Sequence, residues 1–372
     1  MKFETLAVHA GAEPDPATSA LAPPIHLSTT FEHAPDGAML HGFMYIRDGN
    51  PTQARLEASL AAIDSGAAAL AFASGMAAAA ALLQSLPRGA HVLIPDDSYY
   101  AVRALAAEFF PRWGLEHDLV AMDDLGAVRA AMRPSTRALW AESPSNPLMK
   151  ICDLGALASM ARERGAVLVV DNTFATPALQ RPIELGADVI LHSTTKYLGG
   201  HSDVQGGSLA FRERGELLDA VEHTRKIVGG VASPFNCWLV LRGIRSLAAR
   251  MRVHSANARA VAEFLAQHPA VEAVHYPSLP SHPGHEIAAR QMSDFGGMLS
   301  FRMRAGREAA MALTGKLNVF KTATSLGGVE SLIEHRASSE GQGSTTPQNL
   351  LRVSVGLEHP DDLIDDLRRA LE

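Results

Sequence analysis

Four short apolar runs each end in a cluster of polar, chemistry-bearing residues, and this alternation constrains the fold more than any other feature of the chain. His91-Val92-Leu93-Ile94-Pro95 runs into Asp97 and Tyr99, and residues 137–142 run into Ser143-Pro144-Ser145-Asn146-Pro147. Residues 166–170 run into Asp171-Asn172-Thr173, and residues 189–191 into Ser193-Thr194-Thr195-Lys196. Val167-Leu168-Val169-Val170 is apolar at every position, as expected of a parallel strand covered on both faces. Helical patterns at residues 101–109, 125–132 and 154–162 separate the runs. Strand and helix in alternation predict an α/β architecture with a mostly parallel central sheet. Such sheets meet ligands at the carboxyl ends of their strands, so one ligand is expected on one rim, touched by several loops.

Past Gly206-Gly207-Ser208-Leu209-Ala210-Phe211, read as an edge strand, the rhythm changes. Long helical patterns fill residues 236–264, and strands at 271–276, 298–303 and 351–355 mix with helices that include residues 361–371. A smaller α+β carboxyl-terminal domain is expected there. The chain therefore divides into an amino-terminal arm and inter-subunit segment at 1–47, an α/β domain at 48–235 and the α+β domain at 236–372. The first 31 residues, with Pro14, Pro16, Pro23 and Pro24, read as an arm without structure of its own, or as one that docks on a partner subunit.

A formal charge of -7 leaves no electrostatic footprint for nucleic acid or an anionic membrane. No charge lies between Asp64 and Arg88, long enough for a membrane span. Its many alanines and the interruptions Ser65-Gly66 and Ser74-Gly75 favour a buried strand followed by a buried helix. Cys152 and Cys237 lack the spacing of a disulfide framework or a zinc site, and His282 and His285 lack metal partners, so no metal is expected. Met1-Lys2-Phe3-Glu4-Thr5 has no apolar signal-peptide core, and a cytoplasmic location is expected.

Lys196 leaves the carboxyl end of a buried run with hydroxyls one and three residues before it. A lysine so placed can hold an aldehyde cofactor as a Schiff base while Ser193 and Thr195 hydrogen-bond its phosphate. The tetrapeptide alone equally describes a strand-end lysine in a polar loop, and its surroundings separate the two. For pyridoxal 5'-phosphate on Lys196, Asp171 is placed to keep the pyridine nitrogen protonated, although it can also cap the next turn. Tyr99 can stack on the ring, Asn146 can reach its phenolic oxygen, and Thr173 shares the Asp171 loop. The turn Ser74-Gly75-Met76 opens a helix whose free amides suit an anion, while its glycine also fits a packing role. Tyr45 and Arg47, two apart, suit a phosphate, or form a surface pair beside a helix start. In Leu351-Arg352-Val353-Ser354-Val355 a guanidinium sits mid-strand and needs an anion: a substrate α-carboxylate, assisted by Ser325, or an internal Asp or Glu.

These segments, together with Tyr45-Ile46-Arg47-Asp48-Gly49-Asn50-Pro51-Thr52 and Ser325-Leu326-Gly327-Gly328-Val329-Glu330-Ser331-Leu332, resemble the Cys/Met-metabolism family of pyridoxal-phosphate enzymes. The resemblance is to its transsulfuration group of cystathionine γ-synthase, γ-lyase and β-lyase and methionine γ-lyase. It implies the aspartate-aminotransferase-like fold of type I PLP-dependent transferases and a homotetramer built as a dimer of dimers, in which Tyr45 and Arg47 reach the phosphate of a neighbouring subunit. It implies small amino-acid substrates, with Lys196 as proton shuttle and Tyr99 activating the incoming amine or protonating the leaving group. The expected reaction is γ-replacement or γ-elimination on sulfur amino acids or homoserine esters. The alternatives are a cystathionine β-lyase or cysteine desulfhydrase and, more remotely, a non-catalytic PLP-binding scaffold.

The chain also departs from the pattern. Thr324 stands where γ-synthases and γ-lyases carry Glu, and Tyr99-Tyr100-Ala101 where methionine γ-lyases carry Tyr-Gly-Cys. His335-Arg336-Ala337-Ser338-Ser339-Glu340 replaces a segment otherwise reading His-Pro-Ala-Ser-Met-Thr-His. Arg336 and Glu340 there either read the distal substrate group or are solvated loop charges.

Overall fold

The computed structural model describes residues 1–341 and 345–372. Seven strands build the larger sheet: β1 (Ala68–Phe72), β2 (His91–Pro95), β3 (Glu116–Val120), β4 (Thr136–Glu142), β5 (Val167–Asp171), β6 (Val189–His192) and β7 (Gly207–Phe211). Their order is β1-β7-β6-β5-β4-β2-β3, parallel from β3 to β6, with β7 antiparallel to both of its neighbours.

The continuous apolarity of the central strands follows from this placement. Leu168 and Val170 point into a core shared with Leu56, Leu60 and Leu157, whereas Val169 points into a second core with Leu82, Ala106 and Phe110. Each face is covered by helices, so successive residues must all be apolar, and burying each such side chain contributes about 1.5–3 kcal/mol. Among the helices, Gly75–Gln84 starts at Ser74, whose Oγ accepts from the Ala77 N–H at 3.1 Å. Helix Leu154–Glu163 starts at Asp153, which accepts from the Ala156 N–H at 3.0 Å. The uncharged stretch after Asp64 is β1 plus helix Gly75–Gln84, and no helix among the described residues is long and apolar enough to cross a membrane.

Two expectations need correction, and one strand was not foreseen. β7 is not an edge strand but lies between β1 and β6, buried at every residue, and Gly207-Ser208-Leu209-Ala210-Phe211 carries no charged group that would oppose that burial. One edge is instead β3, whose Glu-His-Asp start is too polar for an apolar-run reading to detect. The chain also starts with helix Phe3–His9, anchored by buried Ala7 in the core that holds Leu56 and Leu60, so its first residues are not a structureless arm. Beyond that helix, residues 10–49 hold only isolated bridges, such as Thr30 with Tyr45.

The second sheet comprises β8 (Val271–His275), β9 (Met298–Met303), β10 (Lys321–Thr322), β11 (Leu332–His335) and β12 (Leu350–Ser354), ordered β10-β11-β12-β9-β8. All pairings are antiparallel except β10 with β11. Helices Leu247–Gln267 and Pro360–Leu371 close one face over Leu299, Phe301, Leu351 and Val353. Pairing of β11 with β12 sets Glu334 opposite Arg352 and thereby shapes the site.

Candidate active site

The carboxyl ends of β4, β5 and β6 and the turn after β1 open on a cavity of about 450 Å³. Ser74, Gly75, Met76, Tyr99, Asn146, Asp171, Thr173, Ser193, Thr195 and Lys196 reach it from the larger sheet, and Ser325 and Arg352 from the smaller one. Tyr45 and Arg47 do not line it. Tyr45 is 43% exposed, and the Arg47 guanidinium lies over its ring, 5.5 Å from the centroid.

Lys196 is carried by the turn that follows β6. Its Nζ donates to Ser325 Oγ at 2.6 Å. Burial, reinforced by the nearby Arg352 guanidinium, lowers the amine to about 8. Roughly a tenth of it is then neutral at pH 7, a far larger nucleophilic fraction than an exposed lysine offers. Ser325 occupies left-handed backbone at φ 84, and the Arg352 Nη2–H to its carbonyl at 3.0 Å holds it there. Two residues on, the Gly327 N–H donates to Ser354 Oγ at 2.9 Å. A Cβ at Gly327 would fall 2.7 Å from the Tyr197 nitrogen, so glycine there lets the loop lie directly against the lysine segment.

Asp171 ends β5 opposite Glu142, which ends β4. Burial raises the Asp171 carboxyl above its usual value, against stabilisation by Thr173, whose N–H reaches Oδ1 at 3.0 Å. No lysine or arginine among the described residues pairs with it. Burial, then the neighbouring Asp171, raise the Glu142 carboxyl well above its usual value. Glu142 Oε2 also accepts from the Tyr99 N–H at 2.8 Å, which fixes the start of helix Tyr100–Trp113. Burial disfavours a charge on His192, yet Asp64 at 3.0 Å outweighs it and raises the imidazole above its usual value.

Opposite these carboxyls the turn after β1 packs against the lysine loop. A Cβ on Gly75 would lie 3.1 Å from Ser193 Cβ, and one on Gly207 would lie 2.3 Å from the Ser74 carbonyl oxygen. Glycine at both positions lets the helix start and the Ser193 loop converge on one point. The Ser193 N–H donates to Thr173 Oγ1 at 2.9 Å. The Thr195 hydroxyl donates to the Gly206 carbonyl at 3.1 Å and accepts from its N–H at 3.0 Å.

The far wall is ionic. Arg352, buried, donates through Nη1 to Asn146 Oδ1 at 3.1 Å and pairs through Nη2 with Glu334 on β11. The internal carboxylate alternative is thus real, and the cavity borders the same guanidinium. Arg336 is not a solvated loop charge, the second of its two readings: it is only 5% exposed, borders the cavity, and pairs with Glu334 at 3.2 Å and with Glu340 at 3.1 Å. Tyr99 is half-buried, its ring 5.0 Å from that of Tyr100; burial, then Tyr100, raise the phenol so that it keeps its proton.

Glu142 and Glu334 were not assigned a position in the site from sequence. Glu142 carried a usable mark, since it closes an apolar run as Asp171 does. Glu334 carried none, because the pairing that buries it is not local.

The residues present fit pyridoxal phosphate. A cavity-lining carboxylate that no lysine or arginine pairs with, an amine depressed toward neutrality and a glycine-lined helix start beside serine and threonine hydroxyls are complementary to its pyridinium, aldehyde and phosphate. Fold and site together define a lysine-dependent pyridoxal-phosphate enzyme. Residues 4–372 match the family described as Cys/Met metabolism PLP-dependent enzyme, and the chain belongs to it. A cystathionine gamma-synthase of Mycobacterium tuberculosis is 53% identical over 373 residues, covering 99% of this chain and 96% of that protein. A cystathionine gamma-lyase of Bacillus subtilis is 42% identical over 382 residues, covering all of both chains. The crystal structure of metB from Corynebacterium glutamicum superposes with a TM-score of 0.97 at 41% identity, covering 100% of this chain and 98% of that one.

Proposed function

We propose that this enzyme exchanges or eliminates the γ-substituent of a homoserine ester or sulfur amino acid, in the manner of a cystathionine γ-synthase or γ-lyase. The observation that carries the reading is the Lys196 amine, lowered to about 8 and hydrogen-bonded to Ser325 between Asp171 and Arg352. The higher identity to a relative named as a γ-synthase than to one named as a γ-lyase supports the synthase direction.

In this reading Ser193, Thr195, the hydroxyl of Ser74 and the amides of Gly75 and Met76 hold the cofactor phosphate. Asp171, Tyr99, Asn146 and Thr173 would hold its ring, Asp171 as the carboxylate that keeps the pyridine nitrogen protonated. When bound, pyridoxal phosphate supplies an electron sink for charge developing at the substrate Cα. Arg352 and Ser325 orient the α-carboxylate so that the Cα–H faces Lys196 Nζ. Lys196 takes the Cα proton and then moves a second one from Cβ, as loss of a γ-substituent requires. Tyr99, protonated, donates to the leaving group.

Tyr45 and Arg47, exposed on this subunit, complete the phosphate site of a neighbour in a homotetramer arranged as a dimer of dimers. The division into 1–47, 48–235 and 236–372 assigns these residues to the inter-subunit segment, and a cytoplasmic location is proposed.

Product analysis tests the reading. The holoenzyme is expected to give cystathionine from O-succinyl- or O-acetylhomoserine plus cysteine, or 2-oxobutanoate and cysteine from cystathionine. Pyruvate and homocysteine from cystathionine would instead establish β-cleavage. Absence of every product would overturn the assignment.

A further inference from the structure

The segment that leads into β7 threads between the helix start at Gly75 and the lysine loop, and it carries one more side chain to the place where they converge. β7 begins at Gly207, where a Cβ would lie 2.6 Å from the Gly75 nitrogen. One residue earlier, the Gly206 N–H and carbonyl both bond Thr195 Oγ1, at 3.0 and 3.1 Å, and a Cβ there would collide with Thr194 Oγ1. The residue before these two glycines is Gln205, which borders the cavity. Its carbonyl accepts from Asn236 Nδ2 at 2.8 Å, near the start of helix Pro234–Ile244, so the backbone at 205 is fixed from both sides. The side chain, by contrast, is exposed, and its amide is hydrogen-bonded to nothing among the described residues.

This end of the cavity is short of committed donors. Arg336 and Arg352, the guanidiniums on the wall, are engaged with Glu334 on the opposite side. The Thr195 hydroxyl directs its single hydrogen at the Gly206 carbonyl and not into the cavity. A phosphate monoester presents three terminal oxygens and takes several charge-assisted hydrogen bonds. The Ser193 and Ser74 hydroxyls and the amides of Gly75 and Met76 supply some of them. A carboxamide brings two further N–H donors without a charge of its own, on a stem flexible enough to turn inward from a fixed backbone.

We propose that Gln205 is a further ligand of the cofactor phosphate, its Nε2 donating to the dianion from the β7 side while Ser193 and the Gly75 helix start hold it from the others. The assignment rests on the phosphate placement proposed above and adds a residue to it.

The test compares two aldehydes that differ only in the phosphate. Full-length protein freed of cofactor is titrated with pyridoxal 5'-phosphate and, separately, with pyridoxal, and visible absorbance gives a Kd for each. Gln205→Leu is expected to weaken binding of the phosphorylated aldehyde about tenfold, the lower end of what a hydrogen bond to a charged group supplies, and to leave pyridoxal within about twofold of native. Gln205→Glu keeps the shape and sets a carboxylate against the dianion, so it should weaken the phosphorylated aldehyde further and again spare pyridoxal. Ser193→Ala, measured alongside, reports on the phosphate end independently. Native affinity in both Gln205 variants, or equal weakening of the two aldehydes, overturns the proposal. If Ser193→Ala selectively loses the phosphorylated aldehyde while both Gln205 variants bind as native does, the phosphate placement stands and this inference falls. If none of the three variants discriminates between the aldehydes, the placement falls and takes this inference with it.

Discussion

The Lys196 amine and the Ser325 hydroxyl meet at 2.6 Å, joining the rim of the larger sheet to a loop of the smaller unit. Ser325 holds this place from a left-handed backbone conformation, tied down by Arg352. Ser325→Ala removes a hydrogen bond to a charged group while leaving the loop backbone intact. The expected result is a fall in kcat of about 10- to 100-fold with the cofactor retained. Steady-state kinetics beside the visible spectrum check it, and an unchanged kcat would show that Ser325 does not position Lys196 for the reaction.

Cofactor attachment should follow the protonation of Lys196. The neutral amine is the reacting form, and burial has lowered its pKa to about 8. The rate at which cofactor-free protein takes up pyridoxal phosphate should therefore rise roughly tenfold per pH unit below that value and level off above it. Rapid-mixing absorbance measures this directly. A profile that keeps climbing to pH 10 would mean that the amine is not depressed.

Asp171→Asn should separate stability from catalysis. The Asp171 carboxyl is raised above its unfolded value by burial, so its charge opposes folding at neutral pH and that opposition fades as pH falls through the folded pKa. Replacing it with a neutral isostere should leave the Tm of the cofactor-free protein equal or higher. Turnover of the loaded enzyme should fall on the order of 10²- to 10³-fold, because nothing then stabilises a protonated pyridine nitrogen. Calorimetry and kcat together decide; a lower Tm would contradict the sign.

Arg352 serves both the site and the scaffold, and a double variant distinguishes the two. Arg352→Ala leaves Glu334 short of one buried partner, at a cost on the order of 3–5 kcal/mol. Adding Glu334→Ala should recover part of that stability, since the unpaired carboxylate goes too. KM for amino acid should stay raised in both. Denaturant titration and substrate saturation curves check the pair, and a KM restored in the double variant would refute a carboxylate-binding role.

The proposed sharing of sites between subunits predicts complementation. Arg47→Ala and Lys196→Ala should each be inactive alone, one lacking the guanidinium that a neighbour needs and the other lacking the nucleophile. Unfolded together and refolded as a mixture, they should regain activity, because hybrid dimers contain one site with both residues native. Mixtures no more active than the separate variants would place Arg47 outside the neighbouring site.

Legibility of the site tracked how local each constraint is. Asp171 and Lys196 stand at the ends of runs whose apolarity follows from helices covering both sheet faces, so their place on one rim was readable along the chain. Glu142 was equally marked. β3 escaped because an edge strand can be polar, and β7 was misplaced because a short uncharged antiparallel strand reads the same at an edge as in the interior.

What the sequence determined by itself was the α/β rhythm, the rim and the chemical kind of the ligand, because strand periodicity and loop chemistry are encoded within a few residues of each other. Only the tertiary structure decided which charges are buried. Arg336 and Glu334 lie in a segment that reads as polar loop, and they become a cavity wall because β11 pairs with β12 and sets Glu334 against Arg352. Burial of an ion is a property of what packs around it, and those neighbours come from distant parts of the chain.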